Sequence, residues 1–212
     1  MTIILTRHGE SANNVPGSIW VPDPDLTPLG LSQARLLGER CEALAIDAIV
    51  SSPLLRALRT ANEISLRKQN MPVHILHELV EIGTDYTVRG YEQAQEACPA
   101  VLPYEAVPAG DYGDSYSLGI KDPYYMLGRG YRVISRIRQS FPRDATVVLV
   151  AHVGVNQRLL AAALRMPLPP DFKFAQDNTC VNVIEYTLDA SGREKTKLVT
   201  MNDTSHLNGI EQ

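Results

Sequence analysis

Ala145-Thr146-Val147-Val148-Leu149-Val150-Ala151 is apolar or β-branched at every position. No polar residue alternates along it, so it reads as a strand covered on both faces, as in a parallel sheet flanked by helices. The rest of the chain repeats that grammar. Residues 2–6 form a short apolar, β-branched strand. Thr27-Pro28 looks like an N-cap followed by proline at the first helical position. Ala34, Leu37, Cys41 and Leu44 then recur at three- and four-residue steps, which predicts an amphipathic helix over 28–44. Ala48-Ile49-Val50 is a second strand; Ser52 and Pro53 after it mark a helix start, with Leu54, Leu58, Ala61 and Ile64 as the buried stripe. Residues 73–76 make a third strand, a helix over about 155–165 follows the 145–151 strand, and 181–186 and 198–201 are two more strands. This strand–helix alternation predicts an α/β fold, a three-layer α/β/α sandwich on a mostly parallel sheet. A length of 212 residues suits a single domain over 1–212.

With 44% hydrophobic and 21% charged residues, the chain can bury a sizeable core, which excludes global disorder. Lys plus Arg total 20 against 24 Asp plus Glu, a net charge of −4 with no basic block, so nucleic acid is not an expected partner. No apolar run approaches the ~18–20 residues that cross a bilayer, so no membrane partner is expected. Met1-Thr2-Ile3-Ile4-Leu5-Thr6-Arg7 lacks a basic n-region and does not read as a signal peptide. Cys41, Cys98 and Cys180 are odd in number and scattered, which suits free thiols and a cytoplasmic protein.

One stretch breaks the rhythm. Residues 83–126 carry little periodic apolar pattern but many Gly, Pro and Tyr, and six of the nine tyrosines lie between Tyr104 and Tyr131. A segment this long inside a compact domain is expected to be a cap or lid over a substrate. A packing or oligomer surface is the other reading, since tyrosines favour partial burial. The segment carries no readable code for one substrate, and the chain none for an oligomeric state.

Arg7-His8-Gly9-Glu10 falls at the carboxyl end of the first strand, and His152 falls at the end of the 145–151 strand. Arg56 lies one turn into the helix after Ser51-Ser52. Ligands of open α/β sheets collect at the carboxyl ends of the strands. A guanidinium near a helix N-terminus offers paired donors to phosphate oxygens. Taken singly, each histidine reads as a satisfied core residue and each arginine as a solvated one. Their placement on one sheet edge is what points to a site for a dianion.

Arg7-His8-Gly9-Glu10-Ser11, with Asn14 three further on, resembles the signature of the phosphoglycerate mutase-like histidine phosphatases. Leu26-Thr27, Gly30, Gln33 and Ala34 resemble that family's next block. Ser51-Ser52-Pro53-Leu54, Arg56-Ala57 and Thr60-Ala61 resemble its second-arginine block, and Val150-Ala151-His152 with Gly154 its second-histidine block. Asn202-Asp203-Thr204-Ser205-His206-Leu207 is similar to its closing segment. The blocks run in order along the chain, interrupted only by the Tyr-rich insertion.

This resemblance implies a phosphoglycerate mutase-like fold with an inserted cap and a metal-independent phosphomonoester hydrolase. His8 would attack phosphorus through Nε2 and form a phosphohistidine, its other nitrogen held by an acceptor such as a main-chain carbonyl. Arg7, Arg56 and His152 would surround the phosphoryl group, binding it and stabilising its charge. Asn14 would add a polar contact to the phosphate. A carboxylic acid must then protonate the leaving alkoxide. Glu81, just before a small apolar residue and a glycine-containing turn, fits the family's pattern better than Glu78; the one not used reads as an exposed loop carboxylate. Glu10 belongs to the signature with a structural role. Neither cofactor nor metal is implied, because the cationic side chains do what magnesium does elsewhere. The substrate would be a small phosphorylated molecule, a phosphoprotein being admissible.

Three departures matter. Val153 stands where many members carry glycine. Val88-Arg89-Gly90 replaces the family's aromatic–acid–glycine turn, making Arg89 a candidate substrate contact or, equally, a solvated loop residue. The extended block that marks the cofactor-dependent mutases is absent, which favours a phosphatase. His74-x-x-His77 is a poor metal pair, because an odd separation in a strand sends the rings to opposite faces. Arg129, Arg132, Arg136 and Arg143 read as a solvated face of a helix whose other side carries Tyr131, Ile134, Ile137 and Phe141; the alternative has Arg129, next to the cap, meeting an anionic substrate. Two alternatives to hydrolysis stand: a mutase-type phosphotransferase, and a non-catalytic module that binds a phosphorylated ligand in the same pocket.

Overall fold

The computed structural model describes residues 1–82, 91–102, 123–167 and 173–210, with backbone alone for 123–126. Six strands form one sheet: β1 (Thr2–Arg7), β2 (Ala48–Ser51), β3 (Val73–Ile75), β4 (Thr146–Ala151), β5 (Val181–Leu188) and β6 (Glu194–Asp203). Their order is β3-β2-β4-β1-β5-β6. The first four in that order are parallel, while β5 runs antiparallel to β1 and β6 antiparallel to β5. The sheet is therefore mixed, with its parallel half on the side that carries the signature residues.

The stretch 145–151 becomes β4, and Val147 through Ala151 are fully buried. Its alternate side chains feed two cores, because successive residues of a strand face opposite sides. Val147 and Leu149 join Ile3, Leu5, Val133, Ile137, Leu159 and Leu160 on one side. Val148 and Val150 join Ile4, Ile49, Leu37, Leu58 and Ile64 on the other. The helices supply the outer layers. α1 (Pro28–Glu42) packs on α2 (Leu55–Arg67) over the second core. The helices Pro123–Ser140 and Val153–Ala163, here α4 and α5, pack on each other over the first. The result is the three-layer α/β/α arrangement that the pattern predicts.

Thr27 caps α1, its side chain accepting from the Gly30 nitrogen, with Pro28 at the first position. The start of α2 differs from expectation. It begins at Leu55 rather than at Ser52-Pro53, because the Ser52 hydroxyl is engaged with His152 and the Asp23 carboxylate accepts from the Leu55 nitrogen instead. The last strand is longer than 198–201 suggests, since β6 pairs with β5 from Glu194 onward. A further helix, α3 (Tyr91–Ala97), lies inside the stretch read as a cap. Ala94, Ala97, Cys98 and Val101 join the second core, and Val101 forms a parallel bridge with Val73. These residues thus belong to the body of the domain; the remainder of the 83–126 insertion lies almost wholly outside the described residues. Cys41, Cys98 and Cys180 are free and buried, each thiol pushed up to about 11 chiefly by burial. Among the described residues, no helix is long and apolar enough to cross a membrane.

Candidate active site

The parallel strands end together. Arg7 is in register with Ala151, and Ser51 with Val150, so the residues that follow β1, β2 and β4 emerge side by side. The His8 nitrogen donates to the Ala151 carbonyl at 3.0 Å, and the Ser52 nitrogen to the Val150 carbonyl at 3.0 Å. The sheet ladder therefore continues one residue past the strands and fixes the backbone of the site.

His8 is 3% exposed. Its Nδ1 lies 2.6 Å from the Gly9 carbonyl, which can only accept, so the proton sits on Nδ1 and Nε2 keeps its lone pair. The Arg56 Nε–H donates to that Nε2 at 3.2 Å. Burial, then the charges of Arg56 and Arg7, hold the imidazole well below its usual value of 6.5. Burial and the two guanidiniums thus favour the neutral ring, and the expected main-chain acceptor for its second nitrogen fixes which tautomer it takes. The Gly9 nitrogen donates to Thr60 Oγ1 at 3.1 Å, and the Thr60 hydroxyl donates to the Arg56 carbonyl at 2.8 Å, tying the signature to α2. Gly9 also meets Gly30 at the start of α1. A Cβ on Gly9 would stand 2.3 Å from the Gly30 carbonyl oxygen, and one on Gly30 would stand 1.9 Å from the Glu10 carbonyl oxygen. Only paired glycines allow that approach.

Arg56 is 6% exposed, and its Nη1 lies 3.7 Å from the Asp23 carboxylate. Arg7 is anchored from the other side, donating through Nη1 to the Gln176 carbonyl at 2.9 Å. His152 is fully buried, its ring 5.0 Å from that of His8, and its Nε2 lies 2.8 Å from the Ser52 hydroxyl. Among the described residues its Nδ1 has no hydrogen-bond partner. Burial, then Arg56, His8, Arg7 and Arg129, holds this imidazole well below 6.5 too. Arg7, Arg56, His8 and His152 thus converge on one spot, two guanidiniums beside two neutral rings. Fixed donors so arranged are suited to a doubly charged oxyanion.

The two candidate acids part ways. Glu81 follows the turn His77–Leu79 and reaches α5: its carboxylate accepts from the Ile82 nitrogen at 2.7 Å and from the Gly154 nitrogen at 3.2 Å. Arg7 and Arg158 both act on it electrostatically. Glu81 therefore stands at the edge of the histidine–arginine cluster. Glu78 does not. It is buried, 3% exposed, with its carboxylate 3.2 Å from Arg136 Nη1 and 3.6 Å from Arg132 Nε. An exposed loop carboxylate is therefore not a reading that Glu78 allows, since its carboxylate is buried against Arg132 and Arg136. The reading of Arg129 as part of a solvated face is wrong as well, because main-chain carbonyls hold its guanidinium. It is 4% exposed, and it donates to the carbonyl oxygens of Glu78, at 2.8 Å, and Val80.

Asn14 has its Oδ1 accepting from the Ser11 nitrogen at 3.0 Å and the Ser11 hydroxyl at 3.1 Å, and Asn178, which donates to the His8 carbonyl, also reaches that oxygen at 3.5 Å. Glu10 is structural, accepting from the Thr27 hydroxyl at 2.6 Å. Arg89 lies outside the described residues. Several residues at the site carry no signal in the sequence. Asn178 donates to the His8 carbonyl at 2.9 Å, and the Thr179 nitrogen to the Arg7 carbonyl at 3.1 Å. Asp23 likewise stands out only once the chain is folded, as do the bond from Ser52 to His152 and the carbonyls that Arg129 holds. Among the described residues, no three His, Cys, Asp or Glu side chains come together as a metal-holding group.

A family model for the histidine phosphatase superfamily (branch 1) matches residues 3–204. An adenosylcobalamin/alpha-ribazole phosphatase from Salmonella typhimurium is 30% identical over 194 residues, spanning 87% of this chain and 90% of the relative. Phosphoserine phosphatase 1 from Hydrogenobacter thermophilus is 26% identical over 216 residues, spanning 97% of this chain and 93% of its own. Among solved structures, Bacillus stearothermophilus YhfR shares the fold with a TM-score of 0.68 at 24% identity, over 98% of this chain and 99% of that one.

Proposed function

The chain belongs to the histidine phosphatase superfamily, branch 1, and on that premise we propose that it hydrolyses small phosphomonoesters, without a metal, through a phosphohistidine on His8. The observation that carries the reading is the state of His8: Nδ1 is pinned to the Gly9 carbonyl, and Nε2 faces the Arg56 guanidinium with its lone pair intact. A phosphoryl group entering between Nε2 and Arg56 takes over the guanidinium's hydrogen bond. It then lies against the nucleophile and between Arg7, Arg56 and His152.

In the first step Nε2 attacks phosphorus, an N–P bond forms and the P–O bond to the leaving group breaks. Glu81, protonated, gives its proton to the departing oxygen. In the second step Glu81, now a carboxylate, takes a proton from water, the water oxygen attacks phosphorus, and the N–P bond breaks to release phosphate. Arg7, Arg56 and His152 hold the equatorial oxygens in both steps, and Asn14 borders the same pocket. The relatives named above for alpha-ribazole and phosphoserine support a small organic phosphate as substrate.

The test is a panel of phosphomonoesters assayed with a chelator present, with His8→Ala as the comparison. Turnover should persist in chelator, an alkaline denaturing quench, which preserves the acid-labile N–P bond, should trap phosphate on the protein, and the substitution should abolish both, a loss on the order of 10⁶-fold. Unchanged hydrolysis by the variant would remove His8 from the reaction.

A further inference from the structure

We infer that Arg129 is a positioning residue for Glu81, an assignment that rests on the reading of Glu81 as proton donor. Arg129 stands on the face of α4 turned to the turn that precedes Glu81, and it is 4% exposed. Its guanidinium grips two carbonyls of one short segment, Nε donating to Glu78 at 2.8 Å and Nη2 to Val80. The Val80 carbonyl belongs to the same planar peptide unit as the Glu81 nitrogen. Holding that oxygen fixes the plane from which the Glu81 Cα and side chain depart.

The far end of Glu81 is held independently, by the Ile82 and Gly154 nitrogens on its carboxylate. Glu81 is thus fixed at its peptide by α4 and at its carboxylate by the first turn of α5. The two helices themselves meet closely here: a Cβ on Gly130 would stand 2.6 Å from the Arg158 carbonyl oxygen. Arg132 and Arg136 complete the grip from the same helix by pairing with the buried Glu78 carboxylate. Three arginines of α4 therefore hold the residues just before Glu81, while Glu81 itself is left to α5 and the phosphate pocket. Arg129 is close enough to that pocket for its charge to bear on His152. The two-carbonyl grip needs the planar fork of a guanidinium, which a lysine ammonium cannot reproduce.

The experiment compares wild type, Arg129→Gln, Arg129→Lys, Glu81→Gln and the Arg129→Gln/Glu81→Gln double variant on p-nitrophenyl phosphate and on β-glycerophosphate. The aryl leaving group needs little protonation and the alkyl one needs it fully. Because Glu81 also activates water in the second step, which is common to both substrates, the comparison is made on kcat/KM, which reports phosphoryl transfer to His8 alone: a displaced proton donor lowers it by roughly 10–100-fold for the alkyl substrate and far less for the aryl one. Arg129→Gln should show that selective loss in kcat/KM, and should add nothing in the Glu81→Gln background. Arg129→Lys should show the same pattern at smaller size, which keeps the inference testable if the glutamine variant does not fold. Equal losses on both substrates, additive losses in the double variant, or a lysine variant equal to wild type on both substrates would each overturn the inference. Should Glu81→Gln itself slow both substrates alike, the proton-donor reading fails and this inference with it. Should Glu81→Gln discriminate while the Arg129 variants do not, only the inference fails.

Discussion

His8 is placed by the sheet: its nitrogen continues the β1–β4 ladder to Ala151, and its ring is pinned to its own neighbour's carbonyl. Glu81, in contrast, is placed by side chains and helix ends that reach it from 48 to 73 residues away, Arg129 at one end and Gly154 at the other. The proposed nucleophile shares the rigidity of the buried parallel strands, whereas the proposed acid depends on how α4 and α5 sit against the 77–82 segment. Strand register leaves little freedom, since a slip of one residue turns every side chain to the other face. A helix can shift or rotate slightly without leaving its packing class. Substitutions on the nucleophile side should therefore remove function wholesale. Those on the acid side should degrade it in proportion to how much protonation the leaving group requires.

The largest effect after loss of His8 is expected at Arg56. On the proposed mechanism Arg56→Ala removes a donor to the transferring oxygens and should lower kcat by about 10²–10³-fold, with aryl and alkyl phosphates suffering alike. A leaving-group-dependent loss there would blur the distinction between the two sides. Gly154→Ala should come next. A Cβ at that position would meet the Glu81 Oε1 at 2.5 Å, and since the clash is with the end of a side chain the fold survives while the carboxylate moves. Alkyl phosphate turnover should fall about tenfold or more while melting temperature changes little, a split that steady-state kinetics and calorimetry would reveal. Gly9→Ala puts its Cβ 2.3 Å from a backbone oxygen, which cannot step aside, so it should lower the melting temperature itself.

The same contrast sets what could be read in the sequence. Residues 145–151 announce a strand because burial on both faces demands an unbroken apolar run, and the ends of such strands announce His8 and His152. Arg7, Arg56 and Glu81 are reachable through resemblance because they lie in or beside those local blocks. The partners of Arg129 are not: the repeat of arginines marks it only as a cap-side candidate for an anionic substrate, and the position of the Glu78 and Val80 carbonyls decides that it turns inward to them. Ser52 misleads for a related reason. A serine followed by proline has the look of a helix start, yet its hydroxyl is taken by His152 from a strand a hundred residues later, and α2 begins only where Asp23 supplies a cap. The turn that carries Asn178 and Thr179 shows no periodicity at all, although it holds the carbonyls of Arg7 and His8.

The smallest effect is on stability against acid, and His8 and His152 carry it on the nucleophile side. His8 and His152 are buried as neutral rings, with values held well below the usual 6.5 by burial and by Arg56 and Arg7. In the unfolded chain both recover the ordinary value, so below about pH 6.5 the unfolded state binds more protons than the folded one. Stability is then at its full level above that pH and is lost progressively as the pH falls beneath it. Each ring contributes a slope of at most about 1.4 kcal/mol per pH unit. Denaturant titrations from pH 8 down to pH 5 should therefore show a steepening decline in wild type. The decline should be shallower by up to one such slope in His152→Ala, even if that variant is less stable at every pH because of the lost packing. Arg129→Gln, which removes no buried neutral ring, should keep the wild-type slope while shifting the whole curve. If His152→Ala declines as steeply as wild type, the ring is not held neutral, and the picture of a cationic cradle around two uncharged histidines must be redrawn.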